Sequence, residues 1–104
     1  DERRLDPGRD AGQLDCQVRG LNPHIGAYLA LDGDDGRLGI RAATVIDRPS
    51  WGPGSIVGED GELLLACADR TLRLDIVQPP GKKAMDAAAY LRGYGPPAAA
   101  LPGA

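Results

Sequence analysis

Phenylalanine is absent from this 104-residue chain, and aromatic residues make up only 4% of it: Trp51 and three tyrosines. The core must therefore be built from Leu, Ile, Val and Ala, within a hydrophobic fraction of 42%. No apolar run approaches the ~20 residues that a membrane-spanning helix needs, so no membrane partner is expected. Histidine occurs once, as His24 beside Pro23. No serine sits in a nucleophile-elbow pattern, so hydrolytic triads find no support. The two cysteines, Cys16 and Cys67, form no CxxC. One histidine does not complete a zinc site with them, and no metal ligands are assigned. Two buried thiols are the expectation, with a disulfide as the alternative. Walker and GxGxxG loops are missing too. So is an excess of basic charge: 12 Lys and Arg face 15 Asp and Glu, for a net charge of −3. Nucleic-acid binders are usually basic overall or along one stripe, so placement of the charges matters more than their sum.

Glycine and proline are plentiful, with 15 and 9 copies, which favours a turn-rich β domain. One domain fits this length. Ala11, Leu14, Val18 and Leu21 follow helical spacing, so residues 10–21 read as a short amphipathic helix. Asp10 is its N-cap, with Gln13 at the capping-box position. From Gly26 the period becomes two. Residues 27–31 read as a strand and 32–36 as a turn. Residues 37–47 read as a longer strand with Leu38, Ile40 and Ala42 on one face and Arg37, Gly39 and Arg41 on the other. Strands at 55–59 and 62–68 flank the hairpin turn Asp60-Gly61. The strand at 71–77 alternates, with Leu72, Leu74 and Ile76 inward. Asp86 caps a last helix at 87–92, stopped by Gly93. The fold expected is mainly β: a small open antiparallel barrel of about five strands, oligonucleotide-binding-like, with a short N-terminal helix and a C-terminal helix. The domain reading is a linker remnant at 1–9, the barrel at 10–93 and a flexible tail at 94–104. The charged start DERRLD is unlike a secretory signal, so a cytoplasmic location is expected.

Chemistry-bearing patterns are few. Asp32-Gly33-Asp34-Asp35-Gly36 superficially suggests a calcium loop. Its fifth position is Gly36 and its twelfth is Ala43, so a hairpin turn is the better reading. No pair of carboxylates is placed for acid–base work. One segment stands out: Gln78-Pro79-Pro80-Gly81-Lys82-Lys83. Two lysines just ahead of a helix start face the unfavourable end of its dipole. They are either solvated loop residues or contacts for an anion such as a phosphate backbone.

VQPPGKKAMDAAAYLRG (77–93) resembles the end of the C-terminal domain of methionyl-tRNA formyltransferases. VRGLNP (18–23) is similar to that family's "IRALNP" helix end, and Gly26-Ala27 to the start of its first strand. Pro53-Gly54-Ser55-Ile56 is similar to its "PGT" segment, and LLLACADRTLRL (63–74) to its "LVVACGDGALRL" hairpin. The pieces occur in the family's order over about residues 5 to 93. The resemblance implies an open barrel that follows an N-terminal catalytic domain of the same polypeptide. That domain would bind 10-formyltetrahydrofolate and transfer its formyl group. No catalytic residue and no cofactor is carried over to this chain. The barrel would position initiator methionyl-tRNA through backbone phosphates, in translation initiation. Lys82 and Lys83 correspond to the family's basic loop and Arg19 to the arginine of its first helix; Arg37 and Arg41 join them by sharing a strand face. The chain departs from the family pattern at Gly39, where a lysine is usual. The alternative function is an accessory barrel of a formyltransferase acting on a sugar-nucleotide, amino-acid or carrier-bound amine.

Overall fold

In the computed structural model, the described residues are 3–21, 26–31, 36–97 and 99–100. His24 and the acidic turn at 32–35 lie outside them. The element order is α1 (Ala11–Leu21), β1 (Ala27–Ala30), β2 (Arg37–Pro49), β3 (Ile56–Glu59), β4 (Glu62–Ala66), β5 (Arg70–Gln78), β6 (Met85–Asp86) and α2 (Ala87–Tyr94). The strands form one antiparallel sheet in the order β1-β2-β5-β4-β3, with β6 added to β5. This is the mainly β architecture expected, with a helix at each end. The outer strands are brought together by the C-terminal segment. Leu31, just after β1, bridges to Ala100, and Ser55, just before β3, bridges to Ala99. The open sheet thereby curls toward a barrel.

α1 forms where the apolar spacing places it and buries Ala11, Leu14 and Val18. Its capping box is reciprocal: Gln13 N–H donates to Asp10 Oδ1 at 2.7 Å, and Asp10 N–H to Gln13 Oε1 at 3.4 Å. Cys16 lies off that stripe and is exposed, while Cys67 is buried; both are free. The expectation of two buried thiols therefore holds for Cys67 alone. The Asp60-Gly61 turn has both residues at positive φ, 51° and 78°. This is the two-residue hairpin geometry that matches strand twist, and it sets Glu59 opposite Glu62.

The two long strands, β2 and β5, differ from simple alternation. Ile40 pairs with Val77, Ala42 with Ile76 and Ala43 with Leu74, with register shifts on both sides of Ala42. The two shifts cancel in register, but each strand takes an odd step of three residues between its inward positions, Ile40 to Ala43 and Leu74 to Val77, so the inward parity changes. On β2 the core residues are Leu38 and Ile40, and then Ala43 and Val45 pack against the core in place of Ala42. On β5 they are Leu72, Leu74 and then Val77, while Ile76 is only half-buried. β6 is two residues long and carries no sequence signal of its own. α2 runs through Gly93 to Tyr94 and ends on Gly95, whose N–H donates to Leu91 O. Asp86 caps it as expected, with Oδ1 accepting from Ala89 N–H at 2.7 Å.

The segment before α1 lies against the barrel. Leu5 N–H donates to Tyr28 O at 2.8 Å, Tyr28 N–H donates to Arg3 O at 2.9 Å, and Leu5 is fully buried. Among the described residues, no helix is long and apolar enough to cross a membrane.

Candidate nucleic-acid interface

β5 ends at Gln78, and the chain turns back through Pro79-Pro80-Gly81-Lys82-Lys83-Ala84 to pair β6 with β5. Lys82 N–H donates to Pro79 O at 3.1 Å, and the Gln78 side-chain amide donates to Lys82 O at 2.9 Å. The lysines thus occupy the tip of a β5–β6 hairpin, and both are exposed. The main chain beneath them is tied down, while their ammonium groups face solvent.

Beside this hairpin is a cleft of about 210 Å³ lined by Arg3, Arg37 and Arg41, with Pro79, Pro80 and Gly81 on the hairpin side. Its floor is set by strand pairing. Tyr28 of β1 stands opposite Gly39 of β2, and Gly39 stands opposite Gln78 of β5. Arg37 and Arg41 flank that row, as their even spacing on the outward face of β2 requires. The Arg37 guanidinium lies 4.3 Å from the Tyr28 ring centroid and that of Arg3 lies 6.0 Å from it. Both distances are within cation–π range. Gly39 leaves the centre of the cleft without a side chain, and a Cβ there would come 3.1 Å from Gln78 O.

Of the five basic residues singled out in the sequence, Arg37 and Arg41 share the cleft, and Lys82 and Lys83 follow directly on its Gly81 wall. Arg19 is elsewhere: it is exposed on the last turn of α1, its Nε 3.4 Å from Asp15 Oδ2, and it does not line the cleft. Two participants escaped the sequence reading. Arg3 sits in a charged stretch that resembles a linker, and Tyr28 looks like an ordinary strand residue. The β1–β2 pairing sets Tyr28 beside Arg37, and the pairing of residues 3–5 with β1 brings Arg3 to the same ring.

Among the described residues, four further carboxylates pair with arginines that do not line the cleft. Arg73 contacts Glu62 and Asp75, Arg48 contacts Glu59, and Arg70 contacts Asp69. None of the described residues lining the cleft is acidic. Among the described residues, no group of His, Cys, Asp and Glu is arranged to hold a metal ion. The cleft can recognise an anion, and guanidinium forks suit phosphate.

Comparison with known proteins agrees with this architecture. The family described as "Formyl transferase, C-terminal domain" matches residues 1–95. The methionyl-tRNA formyltransferase of Granulibacter bethesdensis is 44% identical over 95 residues, which are 90% of this chain and 29% of that protein. The methionyl-tRNA formyltransferase of Gluconacetobacter diazotrophicus is 44% identical over 94 residues, 89% of this chain and 30% of that protein. That of Gluconobacter oxydans is 38% identical over 93 residues. The chain spans about 30% of the length of the curated relatives it matches. With this match over nearly its whole length, on the antiparallel sheet and terminal helices described above, the chain belongs to the formyl transferase C-terminal domain family.

Proposed function

We propose that this chain is the tRNA-positioning barrel of a methionyl-tRNA formyltransferase. It holds initiator methionyl-tRNA by backbone phosphates while an N-terminal catalytic domain of the same polypeptide transfers the formyl group. Residues 10–93 are the working barrel, 1–9 lead in from that domain and 94–104 form a tail. Lys82, Lys83, Arg37 and Arg41 contact the phosphates on one face, and Arg19 adds a contact from α1. The location is cytoplasmic. The observation that carries this reading is the run of basic groups from the Arg37–Arg41 cleft onto the Lys82-Lys83 hairpin. The folate donor, 10-formyltetrahydrofolate, is assigned to the catalytic domain. The basic cleft, about 210 Å³, is smaller than pockets that enclose drug-sized molecules, which start near ~300 Å³.

A titration with initiator tRNA at several salt concentrations tests the reading. Phosphate contacts make affinity fall with salt by about 0.7 to 0.9 in log–log slope per contact. Lys82→Ala with Lys83→Ala should flatten the slope by about 1.4 to 1.8 at most and weaken all tRNAs alike. An unchanged slope, or no binding by the wild type at low salt, overturns it. The second reading, an accessory barrel for a formyltransferase of a sugar-nucleotide, amino-acid or carrier-bound amine, then takes first place. The net charge of −3 favours it.

A further inference from the structure

The residues ahead of α1 are charged and broken by Pro7-Gly8, the composition of a linker, yet they are fastened at nearly every position. Arg3 O accepts from Tyr28 N–H at 2.9 Å, and Leu5 N–H donates to Tyr28 O at 2.8 Å. The chain thereby adds in parallel to the outer edge of β1. Arg4 O accepts from the side-chain amide of Gln17 in α1 at 3.2 Å. Leu5 is fully buried in the main core. Asp6 then closes a turn. Its side chain accepts from Gly8 N–H at 2.9 Å and its main-chain carbonyl from Arg9 N–H at 3.0 Å. Pro7 inside that turn is buried, and a Cβ on Gly54 would stand 3.8 Å from its Cγ. Arg9 O accepts from Ala68 N–H at 2.9 Å, and Asp10 caps α1.

Residues 3–10 are thus tied to β1, to α1, to the Gly54 loop and to the link between β4 and β5. A flexible linker of about eight residues leaves its ends free over roughly 16 Å. Here the buried Leu5 side chain, with hydrogen bonds on both sides of it, holds the main chain to one path. Moving the segment requires drawing Leu5 out of the core and breaking the pair of bonds to Tyr28.

We propose that residues 3–10 are a rigid joint, with Leu5 as its positioning residue, that fixes the bearing of the preceding catalytic domain on the barrel. The joint rests on the tRNA reading above, which supplies that domain and its reaction. The barrel holds the tRNA, the other domain holds the formyl donor, and the acceptor amine must meet that donor in register. Each partner binds its own ligand equally well on a loose tether, but the reacting groups then meet in only a fraction of the arrangements. Misplacement by about 1 Å costs on the order of 100-fold in rate. The joint therefore contributes to the rate of transfer and not to tRNA affinity.

Two measurements test it. In the 104-residue chain, NMR order parameters at the Leu5 and Arg9 amides should match those of β2 and β5, about 0.85; values below about 0.6 overturn the joint. In the full-length polypeptide that carries this chain, single-turnover formylation at saturating initiator methionyl-tRNA is compared with tRNA affinity measured separately. Leu5→Ala should lower the single-turnover rate by about tenfold or more and leave the affinity little changed. Leu5→Met, which conserves the volume, should recover most of the rate. Leu65→Ala truncates a buried leucine of β4 and controls for lost stability; its rate should stay near wild type where it is folded. Two glycines inserted between Glu2 and Arg3 keep every fastened residue and should lower the rate as Leu5→Ala does.

An insertion that leaves the rate unchanged, in a protein that binds tRNA, overturns the joint and leaves the tRNA function standing, whether or not Leu5→Ala folds. Equal rate losses in Leu5→Ala and Leu65→Ala make Leu5 purely structural and also overturn it. A wild type that binds no tRNA at low salt overturns the tRNA function itself, and the joint's role falls with it.

Discussion

Asp69 Oδ1 accepts a hydrogen bond from Ala11 N–H at 3.0 Å across 58 residues of sequence. The first turn of α1 is therefore capped twice, locally by Asp10 and from a distance by the β4–β5 hairpin. Helix N-termini leave N–H groups without intrahelical acceptors, and a carboxylate there also meets the favourable end of the dipole.

This contact has a pH signature. The Ala11 N–H, and then hydrogen bonds around Arg70, hold the Asp69 carboxyl below its ordinary pKa of 3.8. A lowered folded pKa means stability that is present above the ordinary value and is lost as pH falls through the lowered one. Asp69→Asn keeps a neutral acceptor and removes the titration. Wild type should melt higher than Asp69→Asn at pH 7, and the gap should close on acidification below the ordinary carboxyl value. Thermal melts of both proteins across that range check it; a gap independent of pH refutes the charged cap.

The thiols should differ sharply in reactivity. Burial, and next the negative charge of Asp69, push the Cys67 thiol up to about 12, whereas Cys16 is exposed on α1. The thiolate is the reactive form. Titration of the native chain with a thiol-specific disulfide reagent at pH 8 should release one equivalent promptly, and a second only after denaturation. Cys16→Ser should remove the prompt phase.

Leu65 is fully buried in β4, paired with Ile56 on one side and Leu72 on the other. With no phenylalanine anywhere in the chain, leucines fill most of the interior, and neighbours held in strands collapse poorly into a gap. Leu65→Ala should cost about 3 kcal/mol, within the range for buried leucine truncation. Denaturant unfolding measures this, and a loss below about 1 kcal/mol would show that the core closes around the cavity.

The C-terminal bridge can be separated from backbone strain at Gly54. This residue has φ of 96°, and a Cβ on it would stand 2.7 Å from Ala100 O; its own carbonyl accepts from Ala100 N–H at 2.8 Å. Gly54→Ala should destabilise the full chain by about 2 kcal/mol, the order expected for a non-glycine residue forced into this region. A chain ending at Pro97 should itself be less stable, having lost the Ala99 and Ala100 bridges. In that shorter chain Gly54→Ala should cost less, because the collision is gone and only the dihedral strain remains. Equal costs in both backgrounds would remove Ala100 from the account.

Much of this protein is legible locally. The apolar spacing Ala11–Leu14–Val18, the Asp10–Gln13 capping box, the Asp60-Gly61 turn and the Asp86 cap each depend on residues within a few positions of one another. The same holds for the joint placement of Arg37 and Arg41, because strand alternation holds up to Ile40 and Arg41 remains on the cleft side. The exposure of Lys82 and Lys83 follows from their Pro- and Gly-rich turn.

What only the tertiary structure decided depends on pairing between distant segments. Simple alternation puts Ala42 and Ile76 in the core. The irregular pairing around Ala42 puts Ala43 and Val77 there instead, because three residues, an odd number, separate Ile40 from Ala43 and Leu74 from Val77. No periodicity in one strand records its partner's register. β6 exists only because Met85 and Asp86 find Val77 and Ile76. Arg3 reaches the basic cleft because the first residues pair with the edge of β1 at Tyr28, 23 positions after Leu5, and Tyr28 reaches it because β1 pairs with β2. The amino-acid order sets the period, the caps and the turns through short-range sterics and hydrogen bonds. The cleft, the remote Asp69 cap and the closure by Ala99 and Ala100 arise when the sheet assembles, because only then do backbone groups far apart in sequence find their partners.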